Sequence, residues 1–229
     1  LHSQTIQAIS EEYATRRKQF KKVKLRWRVS TGSRRSLGWL PFKASALTYR
    51  NGQVWLSGIA TPLSLWDSYR LSQCKLGAGS IAEDVRGRWY LNITVKVPKA
   101  APTDGRADLG IYLGLKDFAG FSDDAIDNIE APQFYRDLES VLAVVQRANK
   151  ISRVKTIHAK IANCRKDFQH KLSTTLVRRY GAIFVGNVNA SALAQTRMPK
   201  SVLDAGWSQF RSMLQYKCDD AGGWFVEVN

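Results

Sequence analysis

The sequence predicts an α/β protein, α+β overall, built in two parts: a helix leading into a small β-barrel, then a layered α/β domain. Three observations point there. Short runs with twofold alternation follow the opening helix, a polar Pro- and Gly-containing stretch interrupts them, and strand-like runs then alternate with long segments of helical period. The interruption, VPKAAPTDGRAD at Val97 to Asp108, divides the chain into residues 1–100 and 101–229.

Ser3 to Phe20 has helical period, with Ile6, Ile9, Tyr13 and Phe20 near one face and Ser3 as the expected N-cap. Strand character follows in LRWRVS, LTYRNGQVWL, YRLSQCKL and GRWYLNITVKV. RNGQ at Arg50 to Gln53 signals a type I′ hairpin, and Trp89, Leu91, Ile93 and Val95 alternate as a half-buried strand should. Beyond the boundary, LGIYLGL and FAGFSDD read as adjacent strands. Pro132 to Tyr180 is a long helical region broken around Ala148 to Arg153. Within it Ile157, Ile161, Cys164, Phe168 and Leu172 form an apolar stripe, leaving Lys155, His158, Arg165 and Lys166 to a basic outer face. AIFVGNVN is a buried strand, SVLDAGWSQFRSMLQYKCDDAG a further helix, and WFVEVN a last strand. No internal repeat is evident.

Charge is the dominant global property. The 229 residues carry a formal +16, with 44% hydrophobic residues, so this is a globular protein suited to a polyanion, nucleic acid before an acidic membrane surface. No apolar run is long enough to span a bilayer and no signal-like segment opens the chain, although the absence of an initiator Met is consistent with a processed or incomplete N-terminus. From Tyr13 to Trp66 there is no carboxylate, while twelve Lys and Arg occur. A block of one sign suits phosphates; its bland alternative is a highly soluble surface. Cys74, Cys164 and Cys218 are widely spaced, forming neither a zinc motif nor a disulfide framework, and read as small buried hydrophobes in a reducing cytosol.

Cutting a polyanion with two divalent cations takes clustered carboxylates on adjacent strands. The two strands best placed for this carry Tyr112 and Gly186, neither of which can hold magnesium. Asp117 sits at an odd offset from Tyr112 before the hairpin turn, and Asp108, Asp123 and Asp124 fall at strand ends or turns. Glu227, on the last strand, is one carboxylate where several are needed. There is no G-x-S-x-G elbow, His158 and His170 lack metal spacing, and GAGS at Gly77 has no lysine in P-loop register.

GIYLGLKDFAGFSD resembles the first RuvC-like motif of the TnpB family, RNA-guided nucleases of insertion sequences and relatives of type V CRISPR effectors. IHAKIANCRKDFQHKLSTTLVRRYGAIFV is similar to that family's long helix and following strand. FVGNVNASAL with KSVLDAGWSQFRSMLQYKC resembles its second motif, and SLGWLPFK, NGQVWL, WDSY and GRWYLNITVKV resemble its wedge domain. The resemblance implies a wedge-like barrel followed by an RNase H/RuvC-like domain that stops before the third acidic motif and zinc ribbon. It places the first motif's Asp at Tyr112 and the second motif's Glu at Gly186. These departures resemble the nuclease-dead repressors of the family, called TldR, and imply no catalytic residue, no metal, and no cofactor besides a bound guide RNA.

The expected partners are a guide RNA and double-stranded DNA with an adjacent motif, in a bacterial cytoplasm and associated with the nucleoid, with no membrane contact. The expected contacts are Arg16, Arg17, Lys21, Lys22, Arg26, Arg28, Arg34 and Arg35 on phosphates, with Lys155, Arg165, Lys166 and Lys171 lining heteroduplex or guide scaffold. Trp39 and Tyr49 are candidates for base stacking or for core packing. The rival readings are an active nuclease using Glu227 in a rearranged site, and an RNA-binding transposon remnant without a guide.

Overall fold

The computed structural model describes residues 2–32, 35–65, 71–98, 100–101, 105–186, 188 and 204–228. The chain divides into two compact units, Leu1–Pro98 and Lys99–Asn229.

In the first unit, α1 spans Ser3–Gln19. Ser3 is already helical, and the cap is His2, whose Nδ1 accepts from the Gln4 N–H at 3.4 Å. Arg16, Arg17 and Lys18 occupy the last turn, where cations complement the exposed carbonyls. Strands β1 (Trp39–Phe42), β4 (Lys75–Glu83) and β5 (Trp89–Lys96) form an antiparallel sheet in the order β1-β4-β5. Pro41 is accommodated because β1 lies at the edge. Strands β2 (Leu47–Arg50) and β3 (Gln53–Leu56) form the expected hairpin, with Asn51 and Gly52 at φ 51° and 74° as a type I′ turn requires.

GAGS lies within β4 beside a bulge. A Cβ on Gly79 would stand 2.1 Å from the Asn92 carbonyl oxygen and 2.9 Å from the Phe42 ring, so glycine here permits close strand approach. Phe42, Ala46, Leu47, Val54 and Leu56 form the core that sheet and hairpin share.

Two strand expectations fail here. Residues 25–30 form no strand: the Ser36 N–H donates to the Val29 carbonyl at 2.8 Å, but Val29 N–H turns to the Ser36 hydroxyl at 3.1 Å, diverting the ladder. Of YRLSQCKL, residues 69–70 lie outside the described residues, Leu71–Gln73 is a short 3₁₀ turn, and β4 begins only at Lys75. In β5, Leu91 and Ile93 pack on the core, while Trp89 is exposed.

The second unit holds β6 (Asp108–Leu113), β7 (Asp117–Phe121), β8 (Ile129–Glu130), α2 (Arg136–Arg147), α3 (Ile151–Arg179), β9 (Ala182–Gly186), α4 (Trp207–Ala221) and β10 (Trp224–Val228). The sheet order is β8-β7-β6-β9-β10, with β6, β9 and β10 parallel and β7 and β8 antiparallel. Counted within the unit this is 3-2-1-4-5, the RNase H/RuvC-like arrangement that the resemblance implies. Leu109, Ile111, Ile183 and Val185 pack beneath Leu176 and Val177 of α3 and Trp207, Phe210 and Leu214 of α4. Asn149 at φ 51° marks the break between α2 and α3. Gly222 at φ 72° ends α4 with its N–H on the Cys218 carbonyl.

The apolar stripe on α3 holds at Ile157 and Ile161, which pack with Leu142 of α2, but Cys164 is exposed. Past that point the buried face turns toward α4 and the sheet through Phe168, Gln169, Leu172, Ser173, Leu176 and Val177. Of the three cysteines only Cys218 is buried, and burial pushes its thiol up to about 11.

Candidate functional site

The parallel register aligns Gly110 with Phe184 and Ile111 with Val185, so one step further Tyr112 stands level with Gly186. On the other flank of β9, Gly186 is level with Val228 and Phe184 with Val226. Pleating sends Leu109, Ile111, Ile183 and Val185 into the helix-covered core and leaves Tyr112, Phe184 and Gly186 on the opposite face. That face is open: Tyr112 is 70% exposed, and a Cβ on Gly186 would meet nothing closer than the Ile111 carbonyl at 3.8 Å. The positions to which the resemblance assigns two metal-binding acids are thus neighbours on an accessible surface, filled by a phenol and a hydrogen.

Neither residue offers a carboxylate to a divalent cation, and among the described residues no three His, Cys, Asp or Glu side chains stand together to hold a metal. The site as described does not fit magnesium. Glu227 pairs with Val185 in register and so lies on the helix-covered side, where Arg211 Nη1 reaches its Oε2 at 3.3 Å. Glu227 therefore does not share the face of Tyr112 and Gly186. Asp117, expected to point away from Tyr112, instead lines the same shallow depression, because the Gly114–Lys116 turn intervenes between the strands. Asp123 is more than a solvated turn residue. It accepts from the Tyr180 hydroxyl and from Ala125 N–H at 2.9 Å, with Arg179 at 3.4 Å, and these hold its carboxyl below the usual range.

The basic block of the first unit forms a distinct surface. Arg16, Arg17, Lys21, Lys22, Arg26 and Arg28 are all exposed. Arg17, Lys18, Lys21 and Lys22 edge one shallow depression below the end of α1. A second groove is lined by Glu12, Tyr13, Arg16, Arg26, Trp27, Arg28 and Trp39. In it Tyr13 stacks on Trp27 at 4.8 Å with planes 10° apart, and Trp27 keeps 63% of its surface exposed. Arg28 lies over the Trp39 ring at 5.1 Å, so that face of Trp39 is already covered. Tyr49 packs on the first unit's core, which favours its core reading.

Tyr13 and Trp27 form an exposed stacked pair that sequence reasoning missed. Their signal was aromatic residues interleaved among arginines. Arg16 also bridges to Glu12 at 2.7 Å, a weak exposed pair that a phosphate can displace. Arg34 lies outside the described residues.

Two predicted contacts are committed elsewhere. Arg35 grips Glu83 through two bonds of 2.6 and 2.8 Å, and Gly38 N–H donates to the same carboxylate at 2.7 Å. The Arg35 and Gly38 bonds hold the Glu83 carboxyl down to about 2. Arg165 turns inward from the expected outer face and binds Asp204 at 2.5 Å, while Asp204 accepts from Tyr135 N–H at 2.9 Å. Four residues on, Gln169 donates to the carbonyls of Ala205 and Gly206 at 2.9 and 3.1 Å. Gly206, at φ 63°, leaves no room for a Cβ against Arg165. Arg165 and Gln169 therefore clamp the Asp-Ala-Gly-Trp turn that starts α4.

On α3, Lys155 and Lys166 are exposed as expected, and Lys171 pairs with Asp167 at 2.6 Å on the surface. Lys166, His170, Thr174 and Arg178 follow at helical spacing. Beside them Lys217 of α4 donates to the His170 carbonyl at 2.8 Å and to the Ser173 and Thr174 hydroxyls at 2.7 Å. Burial, then Lys217 and Lys166, lower the His170 pKa, so the surface is cationic without it. No helix among the described residues is long and apolar enough to cross a membrane.

The family profile OrfB_IS605, described as "Probable transposase", matches residues 92–197. The chain is 30% identical over 194 residues to a Streptomyces pristinaespiralis protein named as an RNA-guided DNA endonuclease, covering 77% of this chain and 47% of that one. It is 26% identical over 203 residues to the similarly named InsQ of Escherichia coli (strain K12), covering 75% and 50%. The chain thus spans about half the length of the curated relatives it matches. Among solved structures, a chain of a Cas12f1-sgRNA-target DNA complex aligns with 88% of this chain and 53% of its own length, at 9% identity and a TM-score of 0.48. The matched segment, less than half of the chain, and these two relatives show what the chain is similar to: proteins of the TnpB/OrfB type found in insertion sequences.

Proposed function

We propose that this protein is an RNA-guided DNA-binding protein that does not cut, and that it represses transcription by occupying the promoter its guide matches. The observation that carries this is the adjacency of Tyr112 and Gly186 on the open sheet face, with no carboxylate at either position. The scaffold around them is intact: Leu109, Ile111, Ile183 and Val185 are fully buried. In this reading base pairing between guide and target strand reads sequence, while cationic surfaces hold backbone phosphates. Arg16, Arg17, Lys21, Lys22, Arg26 and Arg28 do so in the first unit, and Lys155, Lys166 and Lys171 in the second. A short adjacent DNA motif would complete target recognition, and magnesium would serve no catalytic purpose.

Sequencing RNA that copurifies with the protein tests the guided part of the reading. A discrete scaffold ending in a defined guide supports it, and heterogeneous RNA sinks it. Incubating the guide-loaded protein with matched DNA and magnesium tests the other part, where cleavage would refute it.

A further inference from the structure

We propose that the turn leading into α4 encloses one ordered water molecule, held by Arg165 Nε, Gln169 Oε1 and Trp207 Nε1.

All three atoms are buried and have no hydrogen-bond partner among the described residues. Gln169 is fully buried, and Trp207 is 2% exposed. Arg165 and Gln169 lie one helical turn apart on α3, and both reach Gly206. The point where a Cβ on Gly206 would stand is 3.0 Å from Gln169 Nε2 and 3.8 Å from Arg165 Nε. Trp207 follows directly, as the first residue of α4. Leaving a buried donor or acceptor unpaired is costly, and three such atoms around one turn call for a common partner.

The side chains around the turn are fixed in ways that keep this demand in place. Gln169 Nε2 donates to the carbonyls of Ala205 and Gly206. Exchanging the amide nitrogen and oxygen would press an oxygen against two others, so Oε1 is left needing a donor. Arg165 is held by its Nη2 on Asp204. Its Nε and the Trp207 indole nitrogen can only donate.

Two donors and one acceptor select the occupant. A simple anion such as chloride can take both N–H groups but has nothing to give Oε1. A cation is repelled by the guanidinium. Water accepts twice and donates, and about three hydrogen bonds is the usual number for a buried one. Groups enclosed this far inside a unit are beyond the reach of anything much larger. A cavity of about 230 Å³, lined in part by Phe118, Phe134, Phe168, Asp204 and Ala205, borders the same turn and gives solvent a way toward it. Direct bonds from Gln169 thus fasten the Ala205 and Gly206 carbonyls to α3, and the water extends the fastening to the Trp207 indole.

Nuclear magnetic resonance on the full chain tests this. The Trp207 indole N–H is identified by its loss in Trp207→Phe or, if that variant does not fold, by sequential assignment of the parent. It should show NOE and ROE cross-peaks to water of opposite sign, as a long-lived bound water gives and proton exchange does not. Gln169→Met, which removes the acceptor, should lose those cross-peaks. A crystal structure fine enough to show ordered solvent should place one water within about 3.2 Å of all three atoms. Absence of the water cross-peaks in the parent overturns the proposal. So does a crystal structure in which Trp207 Nε1 or Arg165 Nε bonds directly to Gln169 Oε1, or in which an ion takes the place of the water.

Discussion

The two units of this chain use their residues differently. Leu1–Pro98 holds 17 of the 35 basic residues but 5 of the 19 acidic ones, a balance of +12, against +4 for the remainder. Its described core comprises five buried side chains, where the sheet of the second unit gathers fourteen. The first unit therefore spends its composition on an exposed cationic surface and the second on a rigid layered scaffold. Exposed charge and buried packing are thus unevenly divided, so mutations of the first unit's cations and of the second unit's core should fail in different ways.

The largest effect should come from the scaffold. Phe210 is fully buried against Phe118, and Phe210→Ala should cost about 3–5 kcal/mol, read as a lowered denaturant midpoint. Asp204→Ala comes next, because it strands the Arg165 guanidinium and frees the turn before α4; about 3 kcal/mol is expected by the same measurement. If either variant instead left stability intact and weakened RNA binding alone, the division of labour would be wrong.

In the first unit the order reverses. Replacing Lys21, Lys22, Arg26 and Arg28 by Ala should leave the denaturant midpoint nearly unchanged. RNA affinity should fall on the order of a hundredfold, and the salt slope should flatten by about 3. The smallest effect concerns acid stability. Glu83 titrates at about 2 in the fold against 4.5 ordinarily, so its contribution is present above about 4.5 and lost as pH falls toward 2. Glu83→Gln should flatten that part of the stability profile, which acid titration followed by circular dichroism would show.

Much of the scaffold was legible in the sequence because local rules dictate it. Asn51-Gly52 forces its turn, Gly222 stops α4, and the alternation of GIYL and AIFVG places their strands. What was not legible depended on contacts between distant residues. Arg165 reads as a surface cation until Asp204, 39 positions away, is brought to it. Arg35 likewise needs Glu83, 48 positions on. Residues 25–30 alternate like a strand, yet a serine hydroxyl takes the place of a ladder partner. At the candidate site, Tyr112 and Gly186 could be named from their strands and from the resemblance of the motifs around them. Their adjacency, and the misplacement of Glu227 on the other face, required strand register.

The proposed function, guided binding without cutting, makes two separable demands on one sample. The most direct measurement loads the purified protein with its copurifying RNA and follows matched DNA in magnesium by gel shift and by denaturing gel together. A shifted, intact duplex that depends on the guide is expected. Guide-dependent cleavage products would contradict it.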